Sequence, residues 1–342
     1  MLQKLHNCKK LFFRGGWLLP IILLLAVLSA QALTGCASAD RKETDQAGEG
    51  LRIVTVIFPA FDFARQIQGD AGSVEMLLKP GEEVHSYEPT PQDILKIRQA
   101  DLFIYTGGEN DVWVERILES MGEEAPRTLR MMDLVQTREE ELLPGMEKEK
   151  GLSDGEDMEA DEHVWTSVRN AAKITEGIAA VMEELDPDRA ALYRENAESY
   201  TAQLDELDQE LEQLIGQAEE KILVFGDRFP MRYFAEDYGL ECYAAFSGCS
   251  ADSEPSAATL VFLTELVREK NIPVVLSIEF SNGAIARAIC EATGAEQATM
   301  ESCQNVTRDE LEQGETYLSI MQKNEEVLRK ALRVEEENGE EQ

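Results

Sequence analysis

Eight short apolar runs limit what this chain can become. Four lie in the first half (Leu51–Phe58, Val74–Leu78, Leu102–Tyr105 and Leu129–Met132) and four in the second (Ile222–Phe225, Cys242–Phe246, Val274–Ile278 and Gln297–Met300). Segments of helical period separate them: Pro59 to Ile67, Ile94–Gln99 and Trp113–Met121, then Arg232–Tyr238, Ala257–Glu269 and Asn282–Thr293. Strands that alternate with helices and are apolar throughout belong to parallel sheets covered on both faces. At 342 residues the chain is too long for one core and comfortable for two lobes. The expectation is therefore an α/β fold of two parallel-sheet lobes, residues 51–185 and 219–334.

Between the halves runs a helical pattern without a break, expected over 186–218. Asp186-Pro187 is a start signal, with Asp186 at the N-cap and Pro187 at the first helical position. Leu192, Ala197, Tyr200, Leu204, Leu207, Leu211, Leu214 and Ile215 recur at three- and four-residue spacing. Roughly thirty residues at 1.5 Å each make a rod of about 45 Å, long enough to span both lobes and stiff enough to restrict hinging. A coiled-coil dimer is the competing reading of this stripe, but its heptads are short and irregular, and the expectation is a monomer.

The ends carry other information. Lys4, Lys9, Lys10 and Arg14 precede an apolar run from Trp17 to Leu33, which closes on Leu33-Thr34-Gly35-Cys36. A basic start, an apolar middle and small residues at the end make residues 1–35 a secretory signal. Residues 36–50 read as a flexible tether. Glu139 to Glu162 holds eleven acids against Lys148 and Lys150, with glycines at 145, 151 and 155, which describes an acidic loop. The tail, 335–342, reads as disordered.

Charge and motifs exclude several functions. Acids number 67 against 32 Lys and Arg, a net charge of −35, and no basic stripe exists to meet a phosphate backbone, so nucleic acid is not a partner. There is no His-Glu-x-x-His, Gly-x-Ser-x-Gly or phosphate loop, so no enzyme is expected. Cys242, Cys249, Cys290 and Cys303 remain after Cys8 and Cys36 are set aside. In an exported chain they allow two disulfides in any of three pairings. His85 and His163 each sit in a loop and could point into one cleft, where imidazole would serve as a metal ligand.

The contexts of these histidines resemble a family. Pro80-Gly-x-x-x-His-Ser-Tyr-Glu-Pro-Thr-Pro-Gln-Asp93, Ala100-Asp-Leu-Phe-Ile-Tyr-Thr-Gly-Gly-Glu-Asn-Asp-Val-Trp113 and Asp161-Glu-His-Val-Trp165 are similar to segments of the metal-binding receptors of zinc and manganese ABC transporters, the cluster A-I or cluster 9 solute-binding proteins. Glu162 stands where that family usually has Pro. Gly226–Leu240 resembles the opening of its second lobe and Gly314–Asn324 its last helix. The Leu-Thr-Gly-Cys ending resembles the bacterial lipoprotein box.

The resemblance implies two Rossmann-like lobes joined by one long rigid backbone helix, with a metal held between them by two side chains from each. Carried over residue by residue, His85 and His163 are the first two ligands. In the second lobe the count lands on Arg228, which cannot ligate, so Asp227 beside it is the third candidate and Glu301 the fourth. Glu279 is a supporting acceptor or replacement ligand. The resemblance further implies zinc before manganese as cargo, delivery to an ABC permease, and a body held by acyl chains on Cys36 at the outer face of a bacterial membrane. It also implies a Cys249–Cys303 disulfide. The alternative function on the same fold is a surface lipoprotein adhesin or scaffold with weak or lost metal binding.

Overall fold

The computed structural model describes residues 50–140, 142–146, 160–248 and 255–335. The leader with Cys36, the tether up to residue 49, the larger part of the acidic stretch, Cys249 and the tail beyond Glu335 lie outside the described residues. Everything described belongs to one unit, 49–342.

The first sheet is built from β1 (Arg52–Thr55), β2 (Ser73–Met76), β3 (Leu102–Tyr105) and β4 (Arg127–Arg130), in the order β2-β1-β3-β4. The second repeats that plan with β5 (Ile222–Phe229), β6 (Glu241–Ser247), β7 (Val274–Ser277) and β8 (Glu296–Thr299), in the order β6-β5-β7-β8. Every pairing is parallel. Central strands are largely buried, β7 along its whole length, whereas the edge strands β2 and β8 are largely exposed. In both sheets the direction of strand addition reverses beside the first strand, between β1 and β3 and between β5 and β7. Ligands of open α/β sheets bind at the carboxyl ends of strands flanking such a reversal.

The helices are α1 (Phe58–Gln68), α2 (Pro91–Gln99), α3 (Val112–Met121), α4 (Val168–Leu185), α5 (Ala190–Gln217), α6 (Arg232–Tyr238), α7 (Ala257–Glu269), α8 (Ala284–Thr293), α9 (Arg308–Gln313) and α10 (Tyr317–Ala331). The long central helix is α5, whose 28 residues give about 42 Å at 1.5 Å per residue. Its start differs in detail from the expectation. Pro187–Arg189 form a single 3-10 turn, and the Asp186 side chain caps no helical N–H; it accepts instead from Arg189 Nη1 at 2.8 Å and the Tyr193 hydroxyl at 3.0 Å. Leu192 is 40% exposed, and Tyr193 takes its place at the top of the buried stripe.

One hydrophobic core runs from Leu51 to Val334 through both lobes, and a smaller cluster lies on the second sheet around Val224, Val275, Leu263 and Ile289. Buried Asp62 ties three helices together. It accepts from Arg65 on α1, from the Tyr200 hydroxyl on α5 at 3.1 Å, and from the Tyr317 N–H at the start of α10 at 2.8 Å.

The loop after β8 crosses back to the first lobe. Gln304 and Val306 accept from the N–H groups of Phe58 and Gly81, at 3.2 and 2.9 Å. Asn305 Nδ2 donates to the carbonyls of Lys79 and Glu82, at 2.8 and 2.9 Å, and Ser302 O accepts from Trp165 Nε1 at 2.8 Å. Glu279, at the end of β7, holds the other side of this strap by accepting from the N–H groups of Ser302 and Gln304 and from the Ser302 hydroxyl. Cys303 sits in the strap as a buried free thiol with φ of +63°. Cys249, the other half of the expected Cys249–Cys303 disulfide, lies outside the described residues.

Candidate metal centre

His85 occupies a one-turn 3-10 helix after β2, and His163 the turn leading into α4. The fold brings them face to face, with ring centroids 6.4 Å apart and planes inclined by 57°. This spacing suits one ion lodged between the rings, where zinc–nitrogen bonds of about 2.0–2.1 Å would be made.

Hydrogen bonds decide which nitrogen of each ring is available. Asp161 Oδ1 accepts from the His163 N–H at 2.8 Å and lies 2.9 Å from His163 Nδ1. A carboxylate only accepts, so Nδ1 carries the proton and Nε2 keeps its lone pair. For His85 the chain is longer. Both carboxylate oxygens of buried Glu162 are used by Asn110, one by its N–H and the other by Nδ2, each at 3.0 Å. Asn110 must then turn Oδ1 toward His85 Nδ1, which lies 3.2 Å away. An amide oxygen accepts, so His85 also carries its proton on Nδ1 and leaves Nε2 bare. Gly108 makes room for this device, since a Cβ there would fall 2.1 Å from the Glu162 side chain.

The electrostatics of the two rings differ. Burial, followed by His163 and the Arg228 guanidinium, pushes His85 down to about 4. Burial pulls His163 down as well, but the Asp161 carboxylate outweighs it and the net shift is upward. The field that favours a proton on the His163 ring favours a metal cation at the same place. His163 is 2% exposed and His85 17%, so His85 is the open side.

From the second lobe Arg228 acts on His85, and Asp227 precedes that arginine in the same strand. Asp227 lies inside β5 rather than beyond its end, at an irregularity where the register with β6 shifts between Phe225 and Arg228. Bulges of this kind re-aim side chains next to sites. Gly226 permits the close packing, because a Cβ there would meet the Ala286 backbone of α8 at 2.4 Å. Asp227 is 7% exposed; Oδ1 accepts from the Arg228 N–H at 2.9 Å, and Oδ2 is buried with no partner. Arg228 Nη1 lies 3.9 Å from Glu83 Oε1, and the same oxygen is 3.7 Å from His85 Nε2.

Glu279 is turned to other work, and Glu301 sits in a buried acidic setting. Burial pushes Glu301 up to about 7, helped by the charges of Glu279 and Glu310, while Lys323 opposes. Asn324 brackets its backbone, accepting from the Glu301 N–H and donating to its carbonyl. Glu279 is consumed by the strap. Among the described residues no three His, Cys, Asp or Glu side chains form a ready metal cluster. What the fold does bring together is the pair of prepared imidazoles, donors that a borderline divalent ion accepts.

Asn110 and Asp161 were not singled out from sequence, and Glu162 was noted only as standing where Pro is usual. Only Asp161, two residues before a candidate ligand, carried a local signal; the Asn110–Glu162 pair joins residues far apart in the chain.

Known proteins are similar in sequence and fold. The family model described as zinc-uptake complex component A, periplasmic, matches residues 53–331. The zinc-binding lipoprotein AdcA of Streptococcus pneumoniae is 34% identical over 313 residues, covering 90% of this chain and 60% of that protein. The chain thus spans well under two thirds of that relative's length. The high-affinity zinc uptake system protein ZnuA of Bacillus subtilis is 31% identical over 306 residues, covering 88% of this chain and 94% of that one. The solved structure of the Zn(II)-bound ZnuA-like domain of S. pneumoniae AdcA superposes with a TM-score of 0.68 at 31% identity, covering 83% of this chain and 99% of that one. Two parallel-sheet lobes, one long helix and a sequence match over most of its length make this chain a member of the ZnuA family, zinc-uptake complex component A.

Proposed function

We propose that the chain is an extracytoplasmic receptor that captures a divalent metal, zinc before manganese, and hands it to an ABC permease. The observation that carries this reading is the pair of facing imidazoles with both Nδ1 atoms engaged and neither Nε2 hydrogen-bonded among the described residues. Metal-bound histidines are oriented by such outer hydrogen bonds. His85, His163 and Asp227 through Oδ2 are the proposed protein ligands. The names of the relatives, a zinc-binding lipoprotein and a zinc uptake protein, support zinc and an outward-facing location. Cys36 is the proposed lipid attachment point. No helix among the described residues is long and apolar enough to cross a membrane. The role is transport rather than turnover.

Equilibrium dialysis against zinc tests the reading. The wild-type chain should take up one ion, and His163→Ala or His85→Ala should weaken uptake by about 100-fold or more, on the order of 2.7 kcal/mol. Wild-type affinity in both variants would end the proposal.

A further inference from the structure

Two backbone segments of the first lobe meet just before the His163 turn. The Asp161 N–H donates to the Arg138 carbonyl at 2.8 Å, and Glu139 and Ala160 form an antiparallel bridge next to it. Residues opposed in this way exchange two bonds in an antiparallel ladder, and the second would run from the Arg138 N–H to the Asp161 carbonyl. The Tyr233 hydroxyl stands in its place. It accepts from the Arg138 N–H at 3.0 Å and donates to the Asp161 carbonyl at 2.7 Å. Tyr233 is 4% exposed and belongs to α6, a helix of the second lobe.

The same face of α6 holds the far end of the turn. Asp237, four residues beyond Tyr233, accepts from the Ser167 hydroxyl. Ser167 in turn caps α4 by accepting from the Asn170 N–H at 3.0 Å, and Asn170 Nδ2 returns to the Val164 carbonyl at 3.2 Å. The segment that carries His163 is therefore gripped at both ends by one short helix of the other lobe. The two grips differ in what they adjoin. Ser167 lies four residues past the histidine, whereas Asp161 is the residue whose carboxylate accepts from the His163 N–H and from Nδ1.

We propose that Tyr233 is a positioning residue for metal capture: acting through Asp161, its hydroxyl fixes the carboxylate that sets the His163 tautomer. This rests on the metal-receptor reading and adds to it a second-lobe residue that acts without touching the ion. A hydroxyl has one proton to give, and Tyr233 gives it to Asp161 while receiving from Arg138. Without it, the Arg138 N–H and the Asp161 carbonyl would be left unpaired, a state that buried backbone avoids. The direct remedy is to close that backbone pair to about 2.9 Å between nitrogen and oxygen. Closing it shifts Asp161 toward Arg138, and with it the carboxylate on which His163 Nδ1 depends.

Tyr233→Phe and Tyr238→Phe, compared with the wild-type full chain, test this. Tyr238 is the matched control, on the same helix, 7% exposed, with its hydroxyl bonded to Asp208 of α5 at 2.7 Å rather than to the turn. Two quantities are read: zinc affinity by calorimetry, and exchange of the His163 Nδ1 proton in the zinc-loaded chain by proton–nitrogen NMR. Tyr233→Phe should weaken zinc binding about tenfold, on the order of 1.4 kcal/mol, and speed that exchange by a similar factor. Tyr238→Phe should lower the melting temperature and leave both quantities at wild-type values. In the wild-type chain itself the Arg138 amide and the His163 Nδ1 proton should exchange through one cooperative opening; a ring proton lost far ahead of that amide overturns the inference without any variant. Wild-type values of either quantity in Tyr233→Phe overturn it while the receptor reading stands. Equal losses in both variants overturn it too, because the loss then follows stability alone. A wild-type chain that binds no zinc overturns both readings.

Discussion

In the first lobe each cleft histidine is fixed by a neighbour that is itself fixed: His163 by Asp161, and His85 by an Asn110 whose amide is oriented by Glu162. In the second lobe the acids are placed differently. Glu279 holds the strap, Glu301 lies among Glu310, Lys323 and Glu315, and Asp227 gives one oxygen to its own chain. Two halves with the same strand order therefore present opposite faces to the cleft, one prepared for a cation and the other offering one oxygen and an arginine. Shared topology places loops alike; the hydrogen bonds within those loops decide whether a donor is free.

The sharpest test of this asymmetry removes the preparation without touching a ligand. Glu162→Ala leaves the Asn110 amide free to turn over, which would let Nδ2 face His85 and favour the tautomer with its proton on Nε2. Zinc affinity should fall by about 10- to 100-fold, the range for outer hydrogen-bond partners of ligands. Calorimetry giving less than a twofold change would mean that the first lobe's order has no bearing on binding. The converse test gives the second lobe a further donor. Arg228→His removes a positive charge beside His85 and adds a neutral nitrogen donor, so zinc affinity should rise about tenfold; a fall would show that Arg228 helps hold the ion.

The smallest effect concerns Glu301 and is read in stability. Its folded pKa of about 7 lies above the 4.5 of an ordinary glutamate. The folded state therefore binds more protons than the unfolded one between those values, and stability falls as pH rises through that window. Glu301→Gln should leave zinc affinity unchanged, raise the melting temperature at pH 8 and flatten its decline between pH 5 and 8. An unaltered melting profile with weakened zinc binding would return Glu301 to the ligand set.

Much of this was legible in the residues. All eight strands fall on the expected apolar runs, because central parallel strands must be apolar on both faces. Boundaries moved by a few residues, and most at β5, which continues through Asp227 to Phe229 because a bulge lets the polar residue remain in the strand. Helix α4 was not foreseen: its buried face uses Ala171, Ala172, Thr175 and Ala179 among larger side chains, which dilutes the hydrophobic period. His85 and His163 stood out through their surroundings. The roles of Glu162 and Glu301 did not, for opposite reasons. Glu162 depends on a partner 52 residues away, whereas Glu301 was placed by its position after β8, and the strap turns that position toward α9 and α10.

The strap has a consequence for how a bound ion would leave. Its contacts with Phe58, Gly81, Lys79, Glu82 and Trp165 bind the second lobe to the loop that carries His85 and to the turn that carries His163. Swinging the lobes apart as rigid bodies would break all of them at once, against a 28-residue helix that also resists bending. The cheaper route is for the His85 turn to peel away alone, giving up its Asn110 contact while His163 stays buried. Departure would then be sequential, one ligand at a time, on the nanosecond-to-microsecond scale of loops rather than the slower scale of domains. A receiving protein would need to grip only that one turn.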